Sequence, residues 1–227
     1  WLSYEAAVNE TVVPMEYLEH SYAIGFTDLS STTDLTCSGM LIRKPNDPNF
    51  YVLAKFFLPK SRVDAVEESS AREAPYKLWA EQGWLHVCDG AAVDYNDVTN
   101  WYLGMVNIHD IRPLWICFDR ALSGYWVPQM ESYGFDMEKI PQGPVTWSYS
   151  MKQMGAAFEE HKVVYQNNPA MRWNLLNVSA KSINRDGIET IQPVKSSKNK
   201  RIDGAVALLN GWVGYNNHSD EYLRYVR

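Results

Sequence analysis

The sequence predicts a mixed α/β domain, a central sheet with helices on its faces. Three strand-like runs follow one another at short intervals, over 22–28, 36–43 and 50–57. After them the apolar period lengthens from that of strands to that of helices. Further on, "LWICFD" at 114–119 is a short, almost wholly apolar run of the kind that parallel sheets bury on both faces. Three antiparallel strands, then strands alternating with helices, is the order these signs describe.

Residues 3–20 begin with helical spacing (Tyr4, Ala7, Val8), break at Pro14 and resume in "MEYLEH". They read as a lead-in to the sheet. The first strand, "YAIGFTD", ends on Asp28, and a loop of small hydroxyl residues then carries Asp34. The second and third strands are joined by "KPNDPN", a turn of Pro, Asn and Asp. Helices are expected near 61–82 and near 95–108, the second with Asp94 as its N-cap. After the apolar run come a helix near 121–133, a weak strand near 138–141 and helices near 147–160 and 169–178. "KSINRDGIETIQPV" reads as a hairpin turning at Arg185-Asp186-Gly187. "RIDGAVALLNGWVG" reads as a last helix with Asp203 in its first turn. Trp79, Trp84, Trp101 and Trp126 fall at helix-face spacing and are expected in the packing, as is the lone His161.

Composition removes several classes. The chain has 227 residues, 46% of them hydrophobic, with no run near the ~18 apolar residues of a membrane helix. The start has neither the basic end nor the apolar stretch of a secretory signal. It opens mid-pattern without Met and reads as part of a longer polypeptide. Cys37, Cys88 and Cys117 are odd in number and widely spaced, without the partners at ligand spacing that zinc requires. Buried thiols in a reducing compartment are the expectation. The net charge is −6, so any contact with nucleic acid rests on a local patch. "PVKSSKNKR" supplies one: Lys195, Lys198, Lys200 and Arg201, directly before Asp203. Lys181 and Arg185 on the hairpin would extend it. The plainer reading is a solvated basic loop.

Three aspartates stand at element ends: Asp28 closing the first strand, Asp119 closing the apolar run, Asp203 opening the last helix. A carboxylate at the end of a buried strand is costly unless something neutralises it. Neighbouring strands would set two of them a few ångströms apart, which calls for a cation between them. Mg²⁺ takes oxygen ligands and is usually held by one or two carboxylates plus substrate phosphate. Two such ions ~3.5–4 Å apart can hold both the attacking and the leaving oxygen of an in-line displacement. Carboxylates without a His or Cys cluster therefore favour phosphoryl chemistry over zinc hydrolysis. Singly, each acid has a plainer role: Asp203 on the helix dipole, Asp119 as a cap, Asp28 in a turn. Together, in this order of elements, they point to a metal centre.

Four blocks, "GFTDLSSTTDLT", "WICFDR", "NNPAMRWNLLNV" and "KNKRIDGAVALLNGW", resemble, in that order, the nuclease half of large terminase subunits of tailed bacteriophages. The resemblance runs over about residues 20–214 and is sharpest in the first and last blocks. It implies a ribonuclease-H-like fold: a mixed central sheet of three antiparallel and then parallel strands, flanked by helices, with an added C-terminal β-hairpin. Residues 20–215 would be the nuclease domain, 1–19 a lead-in from a preceding ATPase domain, and 216–227 a C-terminal tail. By motif position, Asp28, Asp119 and Asp203 are the catalytic acids and the ligands of two Mg²⁺ or Mn²⁺ ions. Asp34 lies in the first block, as a further ligand or as a turn residue. Lys195 matches a recurrent family lysine that screens charge at the scissile phosphate.

The implied reaction is endonucleolytic cutting of double-stranded concatemeric DNA during genome packaging, leaving a 5′-phosphate and a 3′-hydroxyl. The implied partners are the N-terminal ATPase domain, the portal protein and the small terminase subunit, with no membrane. The implied place is the procapsid portal vertex in the cytoplasm of an infected bacterium, without secretion. No G-x-x-x-x-G-K-[ST] occurs, so this stretch is not expected to hydrolyse ATP. A resolvase- or integrase-type nuclease shares the carboxylates, but the last block argues against it. Paired acids with many aromatic residues also suit a metal-free glycosidase. A catalytically idle docking module of the motor is the remaining alternative.

Overall fold

The computed structural model of the chain describes residues 1–69, 73–121, 123–198 and 200–226, and Arg185 by its backbone alone. The chain enters through two single helical turns, α1 (Tyr4–Ala7) and α2 (Met15–Leu18). The extended segment between them is strapped down by side chains. Asn9 Nδ2 donates to the Val163 carbonyl at 3.0 Å, Tyr165 Oη to that of Ala7 at 2.7 Å, and Gln166 Nε2 to that of Val13 at 2.7 Å.

The meander follows as expected. β1 (Tyr22–Asp28) pairs antiparallel with β2 (Thr36–Arg43), and β2 with β3 (Phe50–Pro59). Every residue of β1 from Ala23 to Thr27 and of β2 from Thr36 to Ile42 is buried, so both strands are covered on both faces. The helical stretches expected near 61–82 are two, α3 (Lys60–Glu68) and α4 (Tyr76–Glu81), with Pro75 at the N-cap of the second. An unforeseen strand, β4 (Leu85–Cys88), then pairs parallel with β3.

Next come α5 (Tyr95–His109), β5 (Arg112–Phe118), α6 (Trp126–Ser132), β6 (Met137–Lys139), α7 (Pro144–Glu159), the two-residue β7 (Val163–Val164) and α8 (Pro169–Leu176). The hairpin β8 (Val178–Arg185) and β9 (Ile188–Lys195) forms a separate two-stranded sheet, and α9 (Asp203–Tyr222) closes the fold. The main sheet has the order β4-β3-β2-β1-β5-β6, with β7 joined to β3. In it β2 alone runs against the other strands, so β1, β3, β4, β5 and β6 all end at one rim.

Side chains alternate between two cores. Ile24, Phe26, Leu41 and Phe56 face α7, α8 and α9, while Ala23, Met40, Ile42 and Phe57 face α5 and α6. Between β1 and α5 the buried hydroxyls satisfy one another: Thr27 Oγ1 lies 2.9 Å from Ser38 Oγ and 2.8 Å from Tyr102 Oη. α9 lies antiparallel across β1 at very short range. A Cβ at Gly214 would stand 2.1 Å from Cys117 Sγ, and one at Gly211 2.7 Å from the Phe26 ring. Only glycine lets the helix come so close.

Trp79 and Trp126 are buried and Trp84 and Trp101 pack on the cores at partial burial. Asp94 caps α5, accepting from Asn96 N at 2.9 Å. His161 differs from expectation. It is an exposed residue at φ 53° just after α7, where a turn, not packing, sets its place. α9 likewise runs beyond 214, through residues expected as a tail, because Tyr222 at its end is fully buried. Among the described residues no helix is long and apolar enough to cross a membrane.

Candidate metal centre

β1 and β5 are parallel with Thr27 beside Phe118, so the next residue of each, Asp28 and Asp119, leave the sheet as neighbours at its carboxyl rim. This rim is where sheets with parallel strands commonly receive ligands. α9 starts over the same rim and brings Asp203 down on it. Its start is fixed by Asn174 of α8, whose Oδ1 accepts from Gly204 N at 3.0 Å while its Nδ2 donates to the Ala170 carbonyl at 2.9 Å. The N-cap position itself holds Ile202, which has no side-chain acceptor. Asp28, Asp34, Asp119 and Asp203 line one cleft of about 480 Å³, walled by Leu29, Trp147 and Ile202.

Burial sets the electrostatics. Asp28 is pushed well above the usual carboxylate range, first by burial and then by Asp203, Asp119 and Asp34, with Lys195 opposing. Asp203 is raised to about 6 by burial and by Asp34, against Lys195. Asp119 is raised by burial, with the backbone N–H of Ala121 opposing. That N–H donates to Asp119 Oδ1 at 2.8 Å, and Gln142 Nε2 donates to Oδ2. Asp203 Oδ2 is buried without a hydrogen-bond partner among the described residues. Such an orphaned oxygen beside two further acids is where a cation fits. The lining offers carboxylate and amide oxygens, a hard set suited to Mg²⁺ or Mn²⁺. The acids are not drawn into one tight knot. Among the described residues the trio of ligand atoms lying within 4.8 Å of one another is elsewhere in the fold.

Asp34 stands in the loop after β1, bound by the Arg201 guanidinium and 3.6 Å from Lys195 Nζ. Arg201 also pairs with Glu73, which in turn pairs with Arg62 of α3. Arg201 is thus not presented to solvent with the lysines of its segment. Its charge is engaged by two carboxylates and its side chain is only 16% exposed. Lys195, Lys198, Lys200 and Lys181 are exposed. Lys181 of β8 pairs in register with Gln192 of β9, a residue of the cleft lining. The side chain of Arg185 lies outside the described residues. Sequence reading missed Gln142, Glu73 and Asn174. Each acts across more than 20 residues of chain, and no local pattern marks them.

The family described as "Terminase large subunit, endonuclease domain" matches residues 1–218. The chain is 28% identical over 204 residues to Protein YmfN of Escherichia coli (strain K12), covering 86% of this chain and 43% of that protein. It is 24% identical over 188 residues to the terminase large subunit of Enterobacteria phage HK97, covering 80% and 35%. It therefore spans less than half the length of these curated relatives. The crystal structure of the HK97 bacteriophage large terminase matches with a TM-score of 0.75 at 20% identity, covering 94% of this chain and 43% of that one. The large terminase nuclease from thermophilic phage G20c matches with a TM-score of 0.52 at 9% identity, covering 85% and 81%. At these identities the likeness is one of fold, and that fold is ribonuclease-H-like. The family match extends over nearly the whole chain, including the rim where the acids meet: the chain belongs to the family of terminase large subunit endonuclease domains.

Proposed function

We propose that this domain is a divalent-metal-dependent DNA endonuclease in which Asp28, Asp119 and Asp203 would hold two Mg²⁺ or Mn²⁺ ions. What carries the reading is the meeting of three acids with raised pKa values in one rim cleft, one oxygen of Asp203 being left without a partner. Ions held there would neutralise charge on the phosphodiester and favour its in-line displacement by water. The protein's own share is positioning. Ala121 N–H and Gln142 orient Asp119, and the Asn174 cap fixes the end of α9 that carries Asp203. Lys195 sets a positive charge beside the cleft for the phosphate, whose charge builds as the bond breaks. Asp34, tied to Arg201, holds its loop against the segment that leads into α9 and acts through position rather than as a ligand.

Lys181, Lys198 and Lys200 would contact flanking phosphates, giving binding that is independent of sequence. In this reading the nuclease unit runs from about residue 20 to the end of α9 at Tyr222, past the 215 expected from sequence. In the whole protein the substrate would be double-stranded concatemeric DNA. An ATPase domain, a portal protein and a small terminase subunit would be partners, in the host cytoplasm.

Supercoiled plasmid incubated with the domain and Mg²⁺ or Mn²⁺ tests the reading. We expect nicking and linearisation with either ion and none in EDTA. Asp28→Ala, Asp119→Ala and Asp203→Ala should each lose about 10²-fold or more. A folded wild-type domain inert at every metal concentration would overturn the activity. Three variants that cut at the wild-type rate would overturn the site.

A further inference from the structure

We propose that His86, Cys88 and Asp97 form a second metal site, separate from the carboxylate cleft, that takes a borderline-soft divalent ion of the Zn²⁺ class. The chain itself spaces them poorly for any motif, and the fold brings them together. His86 and Cys88 stand two apart on β4 and therefore on one face of the strand. Asp97 lies in the first turn of α5, which packs across that face. His Nδ1 or Nε2, Cys Sγ and a carboxylate oxygen all lie within 4.8 Å of one another. His86 Nε2 is 3.0 Å from Asp97 Oδ2. Ligand atoms bound at ~2.0–2.3 Å around a tetrahedral ion sit about 3.3–3.8 Å apart, so the imidazole and carboxylate already stand near that spacing and the thiol needs to close by about 1.5 Å at most.

The donor types select the ion. One thiolate, one imidazole and one carboxylate suit Zn²⁺ and its kin, whereas Mg²⁺ seeks oxygen alone. Binding releases the thiol proton of Cys88 to solvent, and two anionic ligands then balance a dication, leaving a neutral site at the edge of the core. Cys88 is buried, while the side chains of His86 and Asp97 are 43% and 29% exposed, so an ion can enter from solvent and keep water as its fourth ligand.

The site is distinct from the nuclease cleft. Cys88 belongs to the core on the α5 side of the sheet, whereas Asp203 opens the helix on the other side. The two are linked through backbone. The segment after β4 donates from Val93 N to the Ser31 carbonyl at 2.8 Å, and Tyr95 Oη donates to the Ser30 carbonyl at 3.2 Å. Ser30 and Ser31 belong to the loop that bears Asp34. An ion closing the base of the β4–α5 loop would therefore brace that loop from behind.

Cobalt separates this site from the cleft, because only thiolate ligation gives a sulfur-to-cobalt charge-transfer band in the near ultraviolet. The reduced, metal-free domain is titrated with Co²⁺ and then with Zn²⁺. We expect a near-ultraviolet band that saturates at one equivalent, persists in Asp203→Asn and is erased by competing Zn²⁺. It should be lost in Cys88→Ser, and His86→Ala, at a half-exposed position, should bind Co²⁺ about 10-fold or more weakly. No such band at any Co²⁺ concentration would reduce the trio to a surface ion pair over a core thiol and overturn the proposal. So would a band unchanged in His86→Ala or in Cys88→Ser.

Discussion

Asp203 shows what burial does to a single carboxylate. In the folded domain it ionises at about 6, two units above an unfolded aspartate. Between pH 4 and 6 the folded state therefore keeps a proton that the unfolded chain has lost, and stability falls as pH rises through that window. The loss persists at pH 7. Asp203→Asn removes it, so in EDTA at pH 7 the variant should be more stable than wild type by about 1–3 kcal/mol. At pH 4 the difference should vanish. Urea denaturation at the two pH values measures both, and added Mg²⁺ should stabilise only the wild type. Gln142 offers a second single-residue case. Its amide is one of two donors on Asp119, so Gln142→Ala should leave the fold intact yet lower cleavage roughly 10–100-fold. The deficit should lie in kcat more than in KM, because in the proposed reading the lysines, not Asp119, would hold the DNA.

Among the elements, β1 and β2 have the bounds read from sequence because each is a short, largely apolar run bounded by polar loop residues. β4 and β7 were invisible. Four and two residues carry no period, and both are strands only because β3 offers a free edge. Within the helical stretches expected near 61–82, Pro75 marks where the second begins, since it cannot donate and so starts a helix rather than continuing one. The three principal acids were legible because each ends or opens an element that was itself legible. Glu73 and Gln142 were not, since each reaches its partner only through tertiary structure. α9 was read only as far as Gly214 because the residues that follow are polar, and its true end is set by the burial of Tyr222. The close seat of that helix makes a prediction at its own scale. Gly214→Ala puts a methyl into Cys117 and should cost about 1–3 kcal/mol in urea denaturation, lifting α9 and Asp203 with it.

For the molecule as a whole, the net charge of −6 means that DNA is attracted only by a small part of the surface. In the proposed reading Lys195, whose charge acts on the cleft acids, and the exposed Lys198 and Lys200 would form that part. Replacing all three by Gln should weaken binding to unrelated DNA sequences alike and lower the log–log salt slope by about 0.9 for each phosphate no longer neutralised. Fluorescence anisotropy over a series of salt concentrations reads the slope, and an unchanged slope would move the DNA-binding surface elsewhere. One property of the whole follows from α9. It is 20 residues long, or ~30 Å, with Asp203 as its first residue and Tyr222 as its last. Tyr222 Oη donates to the Tyr22 carbonyl at 3.0 Å and accepts from Arg43 N at 2.9 Å. A beam clamped at both ends and seated on glycines between them has no free travel, so the placement of Asp203 over the rim is inherited from the opposite edge of the sheet, and loosening Tyr222 would loosen Asp203.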